Sequence, residues 1–186
     1  MMEVKLKDIA EVISGLSYRR YIDEDAPSYD VIVQRSIKDG KLSDFEKVRL
    51  RTPKPQYFTK PGDILMKMPY PYDVVCVNQE NLVISDRIAI IRTTHPYMHP
   101  KFIAHLLTNV HVKKQLYELG STEKIPHTSL SEIKELKLKI PPAGTQVEYV
   151  HLLDKIDEKI IEDQRVVDYD RRLKEGILNK LWDGDY

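Results

Sequence analysis

The chain has 186 residues with 29 basic and 29 acidic side chains, so its formal net charge is zero. With 41% apolar and 31% charged residues it is composed like a globular protein, which excludes wholesale disorder, and no apolar run approaches the roughly 18 residues of a membrane helix. A single cysteine, Cys76, excludes an internal disulfide, and the charged N-terminus excludes a secretory signal, so a cytoplasmic location is expected.

Leu6, Ile9, Ala10 and Ile13 fall at helical spacing before Gly15, which predicts a short amphipathic helix. Residues 29–35, 63–68, 73–78 and 82–92 are rich in β-branched side chains and read as strands. Pro53, Pro55 and Pro61 punctuate the loops between them. From Val31 to Tyr70 there are nine Lys/Arg against four Asp/Glu, a local excess that can attract phosphate or simply be a solvated surface. His99 and Pro100 open a second helix, with apolar positions at Ile103, Leu106, Leu107, Val110 and Tyr117, closed by Gly120. Ser129 and Glu132 have capping-box spacing, and Leu136, Leu138 and Ile140 alternate with lysines as in a half-exposed strand.

After Pro141 and Pro142 the pattern changes. Thr145 and Glu148 again have capping-box spacing, and from Gln146 to Trp182 no proline interrupts a helix of about 55 Å. Two heptad seams run along it. Leu153, Ile160, Val167, Lys174 and Leu181 form one; Tyr149, Ile156, Asp163, Asp170 and Ile177 form the other. Seven of these ten are apolar, so the helix needs a partner. The expected fold is therefore α+β: a β-rich domain with short helices over residues 1–142, then one long coiled-coil helix over 143–186. The helix segment carries 11 acidic against 7 basic residues, and the first 142 residues carry the opposite excess.

The sequence offers little for catalysis. His95 and His99 each precede a proline, His105 and His111 are six apart, and no H-E-x-x-H or Cys/His cluster occurs, so no metal site is expected. There is no G-x-S-x-G, no P-loop and no dinucleotide fingerprint among seven scattered glycines. Met68-Pro69-Tyr70-Pro71-Tyr72 is similar to the Pro-Pro-aromatic motif of amino-methyltransferases, but its prolines are separated and the preceding polar residue is missing. A stiffened loop presenting two tyrosines is the simpler reading. These features together describe a non-catalytic binding or assembly module.

The junction Gly120-Ser-Thr-Glu-Lys-Ile-Pro-His-Thr-Ser-Leu-Ser-Glu-Ile-Lys-Glu-Leu-Lys-Leu-Lys-Ile-Pro-Pro-Ala-Gly-Thr-Gln146 resembles the end of a target recognition domain in the DNA specificity subunit of type I restriction-modification systems. Residues 6–15, Gly62-Asp-Ile-Leu65 with 83–92, 99–107 and the helix end 172–182 resemble other parts of that family, in order along the chain. The family's subunit has two such domains and two long helices, whereas this chain has one of each, as in a half subunit or a piece of a full one.

The resemblance implies binding to double-stranded DNA at a bipartite site, with no cofactor on this chain. Expected DNA-contacting residues are Tyr18, Arg19, Arg20, Arg35, Lys38, Lys67, Tyr70, Tyr72, Ser121, Thr122, Lys124 and His127, with Arg19, Arg20 and Arg35 as first base readers. The helix, through Tyr149, Leu153, Ile156, Ile160, Val167, Ile177 and Leu181, is expected to pair two copies into a homodimer and to dock methyltransferase subunits. Those partners would carry S-adenosylmethionine, and a restriction subunit would use ATP and magnesium. The alternative is a coiled-coil structural adaptor that does not touch DNA.

Overall fold

The structure is a computed structural model that describes residues 2–119 and 127–184. Strand β1 (Met2–Lys5) leads into a single helical turn, α1 (Leu6–Ile9), and directly into β2 (Ala10–Ser14). The helix expected here is thus only one turn long. Ala10 to Ser14 are claimed by a neighbour: β2 lies antiparallel to a later strand in register Val12↔Ile91. Tertiary pairing overrides a helical spacing that fits either period.

The β-rich part continues as β3 (Ser28–Ile32), β4 (Ile37–Lys38), β5 (Lys41–Leu42), β6 (Glu46–Arg49), β7 (Ile64–Lys67), β8 (Val74–Cys76), β9 (Val83–Ile84) and β10 (Ile88–Thr93). These strands build a four-stranded sheet, β2-β10-β7-β8, and a three-stranded sheet, β6-β3-β9, in which β3 and β9 are parallel. A small hairpin, β4-β5, turns at Asp39-Gly40, both at positive φ, which is the conformation a two-residue hairpin loop requires.

Ile88, Ala89, Ile90 and Ile91 of β10 are completely buried, as a central strand covered on both faces should be. Burying one isoleucine stabilises the fold by roughly 1.5–3 kcal/mol. One apolar cluster packs Ile32, Ile37, Leu65, Val75, Ile84, Ile88 and Ile90; a second packs Leu16, Tyr18, Val31, Leu50 and Val83. Arg92, at the far end of β10, grips the buried Asp63 with two nitrogens (2.9 and 3.0 Å) and donates to the Phe58 carbonyl (2.9 Å). That arginine ties the proline-rich loop to the sheet.

Helix α2 (Pro100–Thr108) starts at the expected proline and buries Phe102, Ile103 and Leu107. It does not run to Gly120. Asn109 is extended, its side chain accepts from the His111 N–H (2.9 Å), and a separate α3 (Val110–Leu119) begins. Asparagine here competes with the helix for backbone hydrogen bonds. Helix α4 (Leu130–Glu135) has the capping box read from sequence, with Ser129 and Glu132 bonded reciprocally. Strand β11 (Lys137–Ile140) pairs with β1, its Leu138 and Ile140 buried and its lysines outward. The Glu135 carboxylate, bonded by Lys5 and Lys7, is held down at about 2.

Helix α5 (Ala143–Asp183) is 41 residues long, about 60 Å. It begins before Thr145: the Gln146 N–H donates to the Pro142 carbonyl (3.1 Å), so Thr145 is inside the first turn and not its cap. The Gln146 side chain is buried. Its Oε1 accepts from the His99 N–H (2.9 Å), and its Nε2 donates to the carbonyls of Tyr97 (3.1 Å) and Pro141 (3.0 Å). By residue contacts the chain divides into two compact units, Met1–Val147 and Glu148–Tyr186. The second unit is the body of α5 alone. Among the described residues no helix is long and apolar enough to cross a membrane.

Gly15 joins β2 to the second cluster where two backbones meet. A Cβ there would fall on the carbonyl oxygens of Ser85 and Ile84. Gly15→Ala is expected to destabilise the domain by about 1–3 kcal/mol, the usual cost of overpacking, and chemical denaturation monitored by circular dichroism measures it.

Candidate nucleic-acid interface

Four separate stretches converge on one polar cleft of about 520 Å³. The 3₁₀ turn Tyr18–Tyr21 contributes Tyr18 and Arg19, and the turn Gln34–Ser36 contributes Gln34 and Arg35. Strand β6 contributes Glu46, and the turn between β9 and β10 contributes Ser85, Asp86 and Arg87.

Local chemistry fixes each of them. The ring of Tyr18 sits in the second apolar cluster, and its hydroxyl donates to Glu46 Oε2 at 2.7 Å. Glu46 Oε1 receives Arg35 Nη1 at 2.7 Å. The buried Ser36 hydroxyl accepts from the Val33 N–H and donates to the Asp44 carbonyl, both at 3.1 Å, which sets the turn that carries Arg35. Asp86 accepts from the Ser17 hydroxyl at 2.6 Å, and its own carbonyl accepts from Ser14 at 3.2 Å. The Gln34 amide nitrogen is buried and has no hydrogen-bond partner among the described residues.

The electrostatics agree with the geometry. The Tyr18 hydroxyl lowers the pKa of Glu46 from its ordinary 4.5, burial opposes this, and Arg35 lowers it further. Burial pushes the Tyr18 hydroxyl up, and Glu46 adds to that. Glu46 is thus held in its ionised form beside Arg35.

A second group lies next to it. The Met68 N–H donates to the Arg87 carbonyl (3.1 Å), which joins the cleft to the loop after β7. On that loop Tyr70 is exposed, whereas Tyr72 is completely buried. The expectation that both tyrosines are presented is corrected for Tyr72: it is a core residue, at φ 58°, and meets Tyr70 edge-on at 5.8 Å. His127 is exposed and bridges to Pro69. Lys67 is half-buried and bonded to Asp73 at 2.7 Å.

Of the sequence-derived positions, Tyr18, Arg19 and Arg35 therefore meet in the cleft, and Lys67, Tyr70 and His127 gather beside it. Arg20 is exposed, and its carbonyl accepts from Arg51 (3.1 Å); Lys38 is exposed on the β4-β5 hairpin. Ser121, Thr122 and Lys124 lie outside the described residues. Part of the basic excess is spent internally, since Arg49 bonds the Glu24 carbonyl (2.7 Å) and Arg51 also lies over the Tyr21 ring. Sequence reasoning missed Gln34, Glu46, Asp86 and Arg87. For Asp86 a signal existed: Ser85-Asp86 interrupts an apolar run with turn-forming residues.

The family of the type I restriction modification DNA specificity domain matches residues 1–166. The chain belongs to this family. No curated protein matches it significantly. Among solved structures, this specificity domain is similar to the HsdS subunit of Thermoanaerobacter tengcongensis, with a TM-score of 0.72 and 14% identity over 95% of the chain. It is similar to the type I restriction-modification S subunit of M. genitalium, at 0.62 and 16% over 99%. A chain from a study of complex assembly and conformational transition of the type I R-M system matches at 0.71 and 19% over 100%. In all three cases the specificity domain spans 46% of the length of the solved chain. The α+β fold read from sequence, with its long C-terminal helix, is the fold of these structures.

Because the folded pKa of Glu46 lies below its unfolded value, its hydrogen bonds stabilise the domain above about pH 4.5, and that contribution is lost as pH falls through the lower folded value. Tyr18→Phe removes the first cause of the shift. Carbon-13 NMR titration is expected to show the Glu46 carboxyl rising toward 4.5 in that variant while staying low in the parent.

Proposed function

We propose that this chain is a non-catalytic DNA-binding specificity subunit, cytoplasmic, that directs partner methyltransferase and restriction subunits to a two-part site. The observation that carries the reading is family membership over residues 1–166. The cleft supports it: Arg19, Arg35 and Arg87 stand on the turns that line it, and Arg35 is held by Glu46 at 2.7 Å. Exposed lysines on the strands that follow Arg35 and Glu46 in sequence, Lys38, Lys41 and Lys47, would neutralise phosphates and set the domain on a duplex, while side chains in the cleft would touch base edges. Bond-making chemistry, S-adenosylmethionine and ATP would belong to the partners.

The long helix would supply the second half of the site. Tyr149, Ile156, Ile160, Val167, Ile177 and Leu181 are all exposed, and among its described residues the second unit contains no other element. An apolar stripe of this kind is stabilised by pairing with a like helix. Asp163 on the seam is bonded to Lys159 of the same helix (3.3 Å), and Arg171 to Asp168 (3.4 Å), so the charges in the middle are partly neutralised within the helix. Two copies joined this way would read an inverted repeat.

Binding to duplex DNA is expected to weaken steeply with salt, since each neutralised phosphate releases counterions. Arg35→Ala is expected to weaken binding to the target by about 1–3 kcal/mol. Fluorescence anisotropy measures both; salt-independent or absent binding would leave the structural-adaptor reading in its place. For the helix, Leu153→Glu combined with Ile160→Glu is expected to convert a dimer into monomers in sedimentation velocity. A parent chain that already sediments as a monomer at all concentrations refutes the pairing.

A further inference from the structure

The cleft contains more than a phosphate site would need. A phosphate is bound by donors alone, and a carboxylate facing it repels it. Here Asp86 and Glu46 line the same space as Arg19, Arg35 and Arg87. A base edge, unlike a phosphate, is neutral and presents donors and acceptors side by side.

The two carboxylates are differently occupied. Glu46 receives a donor on each oxygen, Tyr18 on Oε2 and Arg35 on Oε1. It is thereby committed to orienting the guanidinium of Arg35, whose side chain remains 62% exposed. Asp86 is bonded through Oδ2 to Ser17, and among the described residues Oδ1 accepts no hydrogen bond. The Ser17 bond orients the carboxylate at the turn into β10. The cleft therefore offers one oriented cationic fork and one carboxylate oxygen that no donor among the described residues occupies.

We infer that Arg35 and Asp86 together read a single G·C base pair from the major groove, Arg35 donating to guanine O6 and N7 and Asp86 accepting from the cytosine amino group. Glu46 is a positioning residue that fixes the direction of Arg35. The inference deepens the DNA-binding reading above and rests on it. It explains why acidic side chains stand in a cleft lined by three arginines. They discriminate among base pairs and add nothing to attraction for the backbone.

The test is selection of bound sequences from a pool of randomised duplexes by the full chain, with Asp86→Asn and Glu46→Gln as variants. Both substitutions keep the shape of the side chain, and the amide oxygen introduced by Asp86→Asn can still accept from Ser17. The parent is expected to select a G·C pair at one position that Asp86→Asn relaxes roughly ten-fold, because with its oxygen on Ser17 the amide turns a donor toward the base, which suits thymine O4 in place of the cytosine amino group. Glu46→Gln is expected to relax the same position, and the salt dependence of either variant should match the parent's. If the carboxylate variants bind every sequence more tightly with unchanged preference, the carboxylates only adjust charge and the inference falls. If the parent selects a sequence but the variants select it equally, the cleft inference falls while the DNA-binding reading stands. If the parent selects no sequence at all, both fall.

Discussion

The burial of β10 between β2 and β7 is the constraint on which the rest of the domain depends. Four successive residues, Ile88 to Ile91, are sealed from water, so a slip in register would carry a flanking arginine, Arg87 or Arg92, toward the dry interior. At one end it enters the sheet directly from the turn that carries Asp86 and Arg87. At the other end Arg92 locks Asp63 and the Phe58 carbonyl. Gly15 lets the second cluster approach closely enough for the Gly15 N–H to donate to Ile88 (3.1 Å) and the Leu16 N–H to Ile84 (2.7 Å). The Tyr18 turn follows at once. Polar groups in the cleft thus hang from a dry core that fixes their starting points to within a residue or two.

Much of this architecture was legible in the sequence where the signal was local. The capping box at Ser129 and Glu132, the proline at the start of α2, the alternation in β11 and the unbroken polar-apolar pattern of α5 each depend on neighbours a few residues away. The misreadings have a common cause. Ala10 to Ser14 became a strand because β10 required a partner. Asn109 divided a helix because its side chain bonded the backbone of His111, a choice that composition alone does not force. Tyr72 was placed on a surface by its proline-rich setting, yet the fold turned it inward.

The candidate site was legible by halves. Arginines stand out in a sequence, so Arg19 and Arg35 were found. The carboxylates that hold and complement them did not stand out, because Glu46 and Asp86 gain their meaning only when residues 28 and 69 positions away arrive beside them. Such sites are long-range objects assembled on turns, and the turns themselves have ordinary compositions.

Gln146 shows how narrow the tolerance at a single buried amide can be. Three main-chain groups, on residues 97, 99 and 141, depend on one amide for their hydrogen bonds. Asparagine is one methylene too short to span them, glutamate presents no donor for the two carbonyls, and lysine presents no acceptor for the N–H. Each replacement strands at least one peptide group away from water. The first turn of α5 is therefore anchored by an uncharged side chain whose length and mixed donor and acceptor ends none of these three replacements reproduces.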